Sequence, residues 1–368
     1  MSLPLHQKGA LEEFRREFGF DPEYLRLFRN ALYKRGLPLE AARALLPPSV
    51  HDEFRARFGE PCLSLIERRD SERDGASKLV LRTRAGLLLE TVILRILSGR
   101  TSVCVSSQVG CAAKCAFCAT GQMKMARSLS ADEIVEQVVL ARQILQGEGR
   151  TLRNVVFMGM GEPMHNRAQV TEAIERLRDP RWLDLSEGHI LVSSVGIPEE
   201  LIAFAEAMPR IRLALSLHAA RQEVRQELMP LARQTPIEEL RKMVVELERI
   251  RKETMMLEVL LLAGVNDRDE DVEALIDFCE GLDVHVNLIP YNPVSGAQLP
   301  GGRPLTGTPS PRRHEISERL KSVGLRVTTR VSLGEDIAAA CGQLVKTHEH
   351  RTLGRRTSAL GPPSGAQK

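Results

Sequence analysis

The sequence predicts an α/β protein: a partial (β/α)6 barrel of the TIM type, preceded by a small helical domain and a β-hairpin. Two observations carry that prediction. From Cys104 onward, short buried-type strands alternate with amphipathic helices about six times, the pattern of parallel strands joined by helical crossovers. About six units fall short of the eight that close a TIM barrel, so the barrel is expected to be open. The chain also has the right size: 368 residues, 43% hydrophobic and 27% charged, suit one large globular domain with a small accessory one.

In chain order, residues 1–75 are expected to form the helical module. Helix-period apolar residues recur over 12–18, 22–35 and 39–46, broken by Gly and Pro. The basic residues there, Arg15, Arg16, Arg26, Arg29, Lys34 and Arg35, read most simply as a solvated face. Their functional reading is a surface that neutralises phosphates. Residues 76–100 read as a hairpin, with β-rich runs at 78–84 and 87–95 around Ala85-Gly86. Glu90 is the one acid inside LLLETVIL. A strand acid ordinarily faces solvent, but one flanked by apolar residues can be a base with a raised pKa.

Residues 101–346 are expected to hold the barrel. A strand at 101–107 leads into a cysteine-bearing loop, and Ser130-x-x-Glu133 opens the next helix as a capping box. Strands follow at 154–158, 190–194, 211–217, 255–262, 284–289 and 325–330. Helices fall between them at 167–177, 198–207, 223–229 with 237–252, 269–282 and 312–323. A Pro/Gly-rich loop covers 290–311, and the basic Gly/Pro/Ser-rich tail at 347–368 is expected to be disordered.

The chemistry centres on Cys111-Ala-Ala-Lys-Cys115-Ala-Phe-Cys118. Three thiolates at C-x3-C-x2-C spacing suit a 4Fe-4S cluster that keeps one iron open. A disulfide, a zinc site and buried thiols are the alternatives; zinc wants a fourth close Cys or His, and none follows. An open iron can chelate an amino acid through its amine and carboxylate, and S-adenosylmethionine offers both. The Gly159-Met-Gly161-Glu162-Pro163 turn fits such a ligand: its glycines allow close backbone approach, and Glu162 can pair with the ammonium. Ser193, Ser216-Leu217-His218 and Asn292 fall at C-terminal strand ends, the ligand-facing edge of a parallel barrel, although each alone reads equally as a satisfied polar strand end. Cys341 sits beside Gly342 after an apolar turn, and Cys104 lies just before the triplet. Cys62 and Cys279 read as small buried hydrophobes.

Composition narrows the class. Aromatics are only 4%, against a broad stacking platform for single-stranded nucleic acid, and a net charge of +3 is compatible with RNA without requiring it. An odd count of 7 cysteines points to a reducing compartment, and the charged N-terminus lacks a signal-peptide core. No apolar run reaches membrane-spanning length, so a cytoplasmic protein is expected.

Residues 104–131, CVSSQVGCAAKCAFCATGQMKMARSLSA, closely resemble the radical S-adenosylmethionine RNA methyltransferases of the RlmN/Cfr family. The likeness continues through VVFMGMGEPMHN, LALSLHA, NLIPYNP and GEDIAAACGQL, over roughly residues 78–345. The resemblance implies that Cys111, Cys115 and Cys118 ligate the cluster. It implies that Gly161, Glu162, Ser193, Ser216, Leu217, His218 and Asn292 hold S-adenosylmethionine. By the same likeness Cys341 is the methyl carrier, Glu90 the base, and Cys104 the resolving thiol that forms a transient disulfide with Cys341. The implied substrate is an adenine ring carbon, C2, of 23S ribosomal RNA and also of tRNA, with C8 methylation as in the Cfr branch as the alternative. A one-electron reductant such as flavodoxin, no membrane partner and a monomeric state complete the expectation. A radical activase and a non-enzymatic iron–sulfur RNA-binding protein compete less well, since neither needs Cys341 with Cys104.

The chain departs from the usual family pattern at Leu231-Ala232-Arg233, at Ser193-Ser194-Val195-Gly196, at Leu333 before the glycine of GEDI, and in GQMKMAR, which lacks an aromatic. None of these involves a cysteine; all bear on contact with RNA.

Overall fold

The computed structural model describes residues 3–96, 98–123, 127–251 and 253–344, so the tail expected to be disordered lies outside the described residues. The chain opens with four helices: α1 (Ala10–Phe18), α2 (Pro22–Arg29), α3 (Leu39–Arg43) and α4 (His51–Phe58). Asp21 caps α2 by accepting from the Glu23 N–H at 2.8 Å, with Pro22 in the first turn where its missing N–H costs nothing. A π turn, Asn30–Lys34, carries α2 on, which accounts for the helical period seen as far as residue 35. Phe14 meets Phe54 and Phe58 edge-on at 5.6 and 5.5 Å and closes this small core. The basic face expected here supplies its own acids: Arg15 and Arg16 pair with Glu12, Arg26 with Glu23, and Lys34 with Asp184.

The helical stretch stops at Phe58 rather than near residue 75. Leu63–Asp70 is a strand, β1, whose outer residues are charged because it forms the edge of the sheet and has one unpaired rim. That polarity hides it from a search for apolar runs. β1 pairs antiparallel with β2 (Ala76–Thr83), β2 with β3 (Leu88–Arg95), and β3 with β4 (Thr101–Cys104). The expected hairpin is thus the middle of a meander.

At β4 the sheet changes character. A two-residue ladder, β5 (Gln108–Val109) with β6 (Arg127–Ser128), stands apart from it. Then β7 (Asn154–Phe157), β8 (Ile190–Ser194), β9 (Arg212–Ser216), β10 (Met255–Leu261), β11 (Val284–Pro290) and β12 (Arg326–Thr329) follow β4 in parallel. The sheet has 10 strands in the order β1-β2-β3-β4-β7-β8-β9-β10-β11-β12. No ladder joins β12 to β1 among the described residues, so the sheet is open, as six units require.

The crossovers are helical: α5 (Ala131–Gly147), α6 (Arg167–Arg178), α7 (Pro198–Ala207), α8 (Gln222–Leu228) with α9 (Ile237–Ile250), α10 (Asp269–Cys279) and α11 (Ser310–Ser322). The capping box of α5 is complete: Ser130 Oγ accepts from the Glu133 N–H at 3.2 Å, and Glu133 Oε2 accepts from the Ser130 N–H at 2.9 Å. The central strands are apolar along their length because helices and neighbouring elements cover both faces. Among the described residues no helix is long and apolar enough to cross a membrane.

Candidate active site

The parallel strands deliver their C-terminal ends to one rim, and the loops beyond them build the site. β5 and β6 zip together the two ends of the loop 110–126, so the cysteine segment projects from a closed neck. The Ala116 N–H donates to Leu228 O at 2.9 Å, fixing the loop to the end of α8, and the Ala119 N–H donates to Gly342 O at 2.7 Å. Beneath lies a second apolar cluster that includes Ala113, Val224, Leu228, Leu260 and Ile289. Cys111, Cys115 and Cys118 line one cavity, which has about 940 Å³ of space outside the protein atoms, its open mouth included. Burial pushes the Cys111 thiol up to about 12 and raises Cys115 as well, so as bare thiols both keep their protons.

The glycines of the 159–163 turn were expected to admit a ligand, and the structure shows that they first admit protein. A Cβ at Gly159 would stand 2.6 Å from Val105 O, and one at Gly161 (φ +99°) only 2.5 Å from Gln108 Cβ. The turn is stitched to the cysteine neck, because the N–H groups of Ser107 and Gln108 both donate to Met160 O, at 2.8 and 3.1 Å. Buried Glu162 accepts from the N–H groups of Met164 and Val195, each at 2.9 Å. Burial raises its pKa and these backbone donors oppose the rise. Its carboxylate orders the turn and the end of β8 while facing the cavity.

Ser193 and Ser216 meet at 3.2 Å between their hydroxyls, and Ser193 donates to Glu258 Oε2 at 2.7 Å. Sequence reasoning missed Glu258. Its signal was present, a lone acid in the apolar run MMLEVLLL, the same pattern that singled out Glu90. Glu258 lines the cavity, is buried, and its Oε1 has no hydrogen-bond partner among the described residues.

His218 takes a left-handed backbone (φ 58°) that turns its ring inward, edge-on to Phe117 with centroids 4.8 Å apart. The Leu260 N–H donates to its Nδ1 at 3.1 Å, which places the ring proton on Nε2. Burial first, and the Arg225 charge second, pull its pKa from 6.5 to about 3, so the ring is neutral. Leu217 is wholly buried and contributes backbone: its carbonyl accepts from Arg225 Nε at 3.2 Å, while Arg225 Nη2 donates to Val195 O at 2.6 Å. Buried Arg225 therefore ties the ends of β8 and β9 together. Nothing in the sequence marks it, since an Arg on a short polar helix reads as exposed.

Cys341 stands at a junction. It lines the triplet's cavity and also a second one, whose wall carries Cys104, Val92, Met158 and Arg330. Asn292 Nδ2 donates to Cys341 O at 3.1 Å, so Asn292 anchors the backbone of Cys341 while lining the first cavity. Burial pushes Cys104 up to about 12, and the Arg330 guanidinium pulls against that shift, whereas Cys341 is exposed to the cavities. All seven cysteines are free thiols. Glu90 does not face solvent: it is wholly buried, 3.4 Å from Lys78 Nζ. Register puts it near Cys104, because Val92 pairs with Cys104 and Glu90 shares the face of Val92 two residues away.

Residues 105–279 match the Radical SAM superfamily. A protein of Rhodopirellula baltica named "Probable RNA methyltransferase" is 43% identical over 97% of this chain and 92% of its own length. The "Dual-specificity RNA methyltransferase RlmN" of Sorangium cellulosum is 35% identical over 88% of this chain and 91% of its own. A radical SAM methyltransferase from Sphaerobacter thermophilus, known from its crystal structure, superposes with a TM-score of 0.83 at 34% identity, covering 94% of this chain and 99% of that one. The chain belongs to the radical SAM RNA methyltransferases of the RlmN type.

That family implies a 4Fe-4S cluster and S-adenosylmethionine, and the residues fit both. Three soft sulfur donors on one cavity wall, over an apolar bed, suit an iron–sulfur cluster rather than a hard cation. Among the described residues no three Cys, His, Asp or Glu side chains converge on a single-ion site. An RlmN-type enzyme must also seat a polar nucleoside beside the cluster. Glu258, whose Oε1 accepts no hydrogen bond and lies 3.9 Å from Arg330 Nη1, supplies polar groups along the same wall together with Ser193, Ser216 and the ring of His218.

Proposed function

We propose that this RlmN-type enzyme methylates C2 of an adenine in 23S ribosomal RNA, and also in tRNA, with Cys341 as the methyl carrier. One observation carries the reading: Cys341 borders both the cavity of the cysteine triplet and the cavity that holds Cys104. A carrier must receive its methyl group on one side and release it on the other. Relatives named "Dual-specificity RNA methyltransferase RlmN" support the inclusion of a second kind of RNA.

In this reading Cys111, Cys115 and Cys118 hold the cluster, and Gly161, Glu162, Ser193, Ser216, His218 and Asn292, with the backbone of Leu217, frame the S-adenosylmethionine site. When bound, a cluster held by Cys111, Cys115 and Cys118 would supply one-electron reduction of S-adenosylmethionine and so the capacity to abstract hydrogen. The protein does the rest. Cys341 Sγ takes a methyl group from one S-adenosylmethionine by nucleophilic attack, losing its thiol proton and releasing S-adenosylhomocysteine; hydrogen abstraction by the radical from a second S-adenosylmethionine then leaves a carbon-centred radical on Cys341 facing the adenine ring. A purine ring carbon is electron-poor, so the new carbon–carbon bond requires radical addition, and it leaves the base tethered to Cys341. The addition radical gives up one electron, which the oxidised cluster would accept, and Glu90 takes the proton from the methylated ring carbon. Cys104 Sγ then attacks Cys341 Sγ; a sulfur–sulfur bond forms, the carbon–sulfur bond breaks, and the released carbon takes a proton to become the methyl group. External thiol reduces the disulfide. A one-electron reductant such as flavodoxin, a cytoplasmic setting with reduced thiols, and action as a monomer belong to the same proposal.

The test is mass spectrometry of nucleosides from RNA treated with the reconstituted enzyme. 2-Methyladenosine is expected; 8-methyladenosine would move the enzyme to Cfr-type regiochemistry, and no methylated adenosine would refute the RNA reading. Cys341→Ala should abolish methylation and leave the cluster absorption intact, while Cys104→Ala should trap a covalent protein–RNA adduct. Full turnover by either variant overturns the carrier mechanism.

A further inference from the structure

Lys78 is a fully buried lysine, and it lies between two parts of the machinery. Its Nζ donates to Ala338 O at 3.0 Å and stands 3.4 Å from Glu90 Oε1. Register explains the meeting. Lys78 pairs with Val92 across β2 and β3, and Val92 with Cys104 across β3 and β4, so Lys78, Val92 and Cys104 form one row on one face of the sheet. Glu90 occupies that face in the next row. Ala338 belongs to the segment that carries Cys341, and the same segment is held at its start by the Gly334 N–H, which donates to Asp74 Oδ2 at 2.7 Å. A carboxylate and a loop separated by about 250 residues in the chain thus share one ammonium group.

We infer that Lys78 is a positioning residue for methyl release: it orients Glu90, and it holds the Cys341 segment over that carboxylate. The inference rests on the reading of Glu90 as the base. A buried ammonium group 3.4 Å from a buried carboxylate oxygen fixes where that carboxylate points. The other charged groups facing Lys78 are Glu67 and Arg69 of β1, which bond to each other. The Ala338 carbonyl accepts from Lys78 only when the Cys341 segment is seated, so base and carrier are aligned by one contact.

The test compares Lys78→Met, Lys78→Arg, Glu90→Gln and the double variant Lys78→Met/Glu90→Gln in the cluster-loaded full chain. Lys78→Met should still methylate Cys341, seen by peptide mass, and should accumulate covalent protein–RNA adduct, with product release slowed about tenfold or more. Hydrogen exchange in peptides spanning 334–344 should rise about tenfold in the absence of RNA, reflecting one lost charge-assisted bond. Lys78→Arg should restore both readouts in part. Wild-type product release or unchanged exchange in Lys78→Met overturns the inference. If loss of the Lys78 ammonium group unfolds that variant, the neutral double variant carries the exchange test, and unchanged exchange there is equally fatal. The two readings separate cleanly: full turnover by Glu90→Gln removes the base assignment, whereas adduct trapping by Glu90→Gln with normal release by Lys78→Met removes only the role of Lys78.

Discussion

At the scale of single residues, the site is built from polar groups that burial has made decisive. Glu258 has one oxygen engaged by Ser193, while the other accepts no hydrogen bond and faces the Arg330 guanidinium at 3.9 Å on the cavity wall. A bound hydroxyl or ammonium group can complete the hydrogen bonding of that oxygen. Glu258→Gln should therefore weaken S-adenosylmethionine binding by about tenfold or more, measured by calorimetry, with the fold unchanged. His218 makes a different prediction. Its pKa falls from 6.5 in the unfolded chain to about 3 in the folded protein, so the unfolded state binds the extra proton. The stabilising effect of a neutral His218 is complete above pH 6.5 and declines as pH falls toward 3. At about pH 5 the loss relative to pH 7 is about 2 kcal/mol. Urea unfolding at the two pH values should show wild type losing that much more than His218→Asn; equal losses would contradict a buried neutral ring.

Elements carry the next level. The capping box of α5 directly follows the cysteine loop, and Ser130→Ala should cost about 1 kcal/mol in denaturant unfolding. The 159–163 turn is less forgiving. Gly161→Ala places a Cβ 2.5 Å from Gln108 Cβ in a left-handed backbone. It should destabilise by at least ~2 kcal/mol and loosen the cysteine neck, lowering iron content per chain, which colorimetric iron assay reads. Elements were also where the sequence was most and least legible. The parallel strands announced themselves as apolar runs because both of their faces are covered. β1 did not, since an edge strand keeps charged residues toward water, and the short β5–β6 neck is too brief to leave a period. Glu90 was noticed and Glu258 was not, though both interrupt apolar strands; only burial and partners separate such acids from solvent-facing ones. Arg225 left no trace at all, since its partners are backbone carbonyls that any sequence supplies.

For the whole molecule, the segment 334–344 is the part held from furthest away. Ser71 donates to Asp336 Oδ1 at 2.8 Å and the Glu72 N–H to Asp336 Oδ2 at 3.1 Å, while Asn292 and Ala119 secure Cys341 and Gly342. The β1–β2 turn, the cysteine loop and the end of β11 thus converge on one short segment. Asp336→Ala should speed limited proteolysis within 331–344 while leaving the cluster spectrum and the melting temperature nearly unchanged, since these bonds are exposed to water and weak. Unchanged cleavage would mean that the turn does not restrain the segment.

The sequence by itself determined the open α/β architecture and singled out the cysteine triplet, while the family resemblance supplied the roles proposed for the triplet and for the outlying pair, Cys104 and Cys341. Hydrophobic period and residue spacing are local, and the chain states them directly. Only the tertiary structure decided that Cys341 borders two cavities, that Lys78, Glu90 and Cys104 share one face, and that Glu258 and Arg225 complete the rim. Those facts follow from strand register and loop docking, which are set by contacts between distant segments, and no local pattern encodes which face a side chain will share with a partner hundreds of residues away.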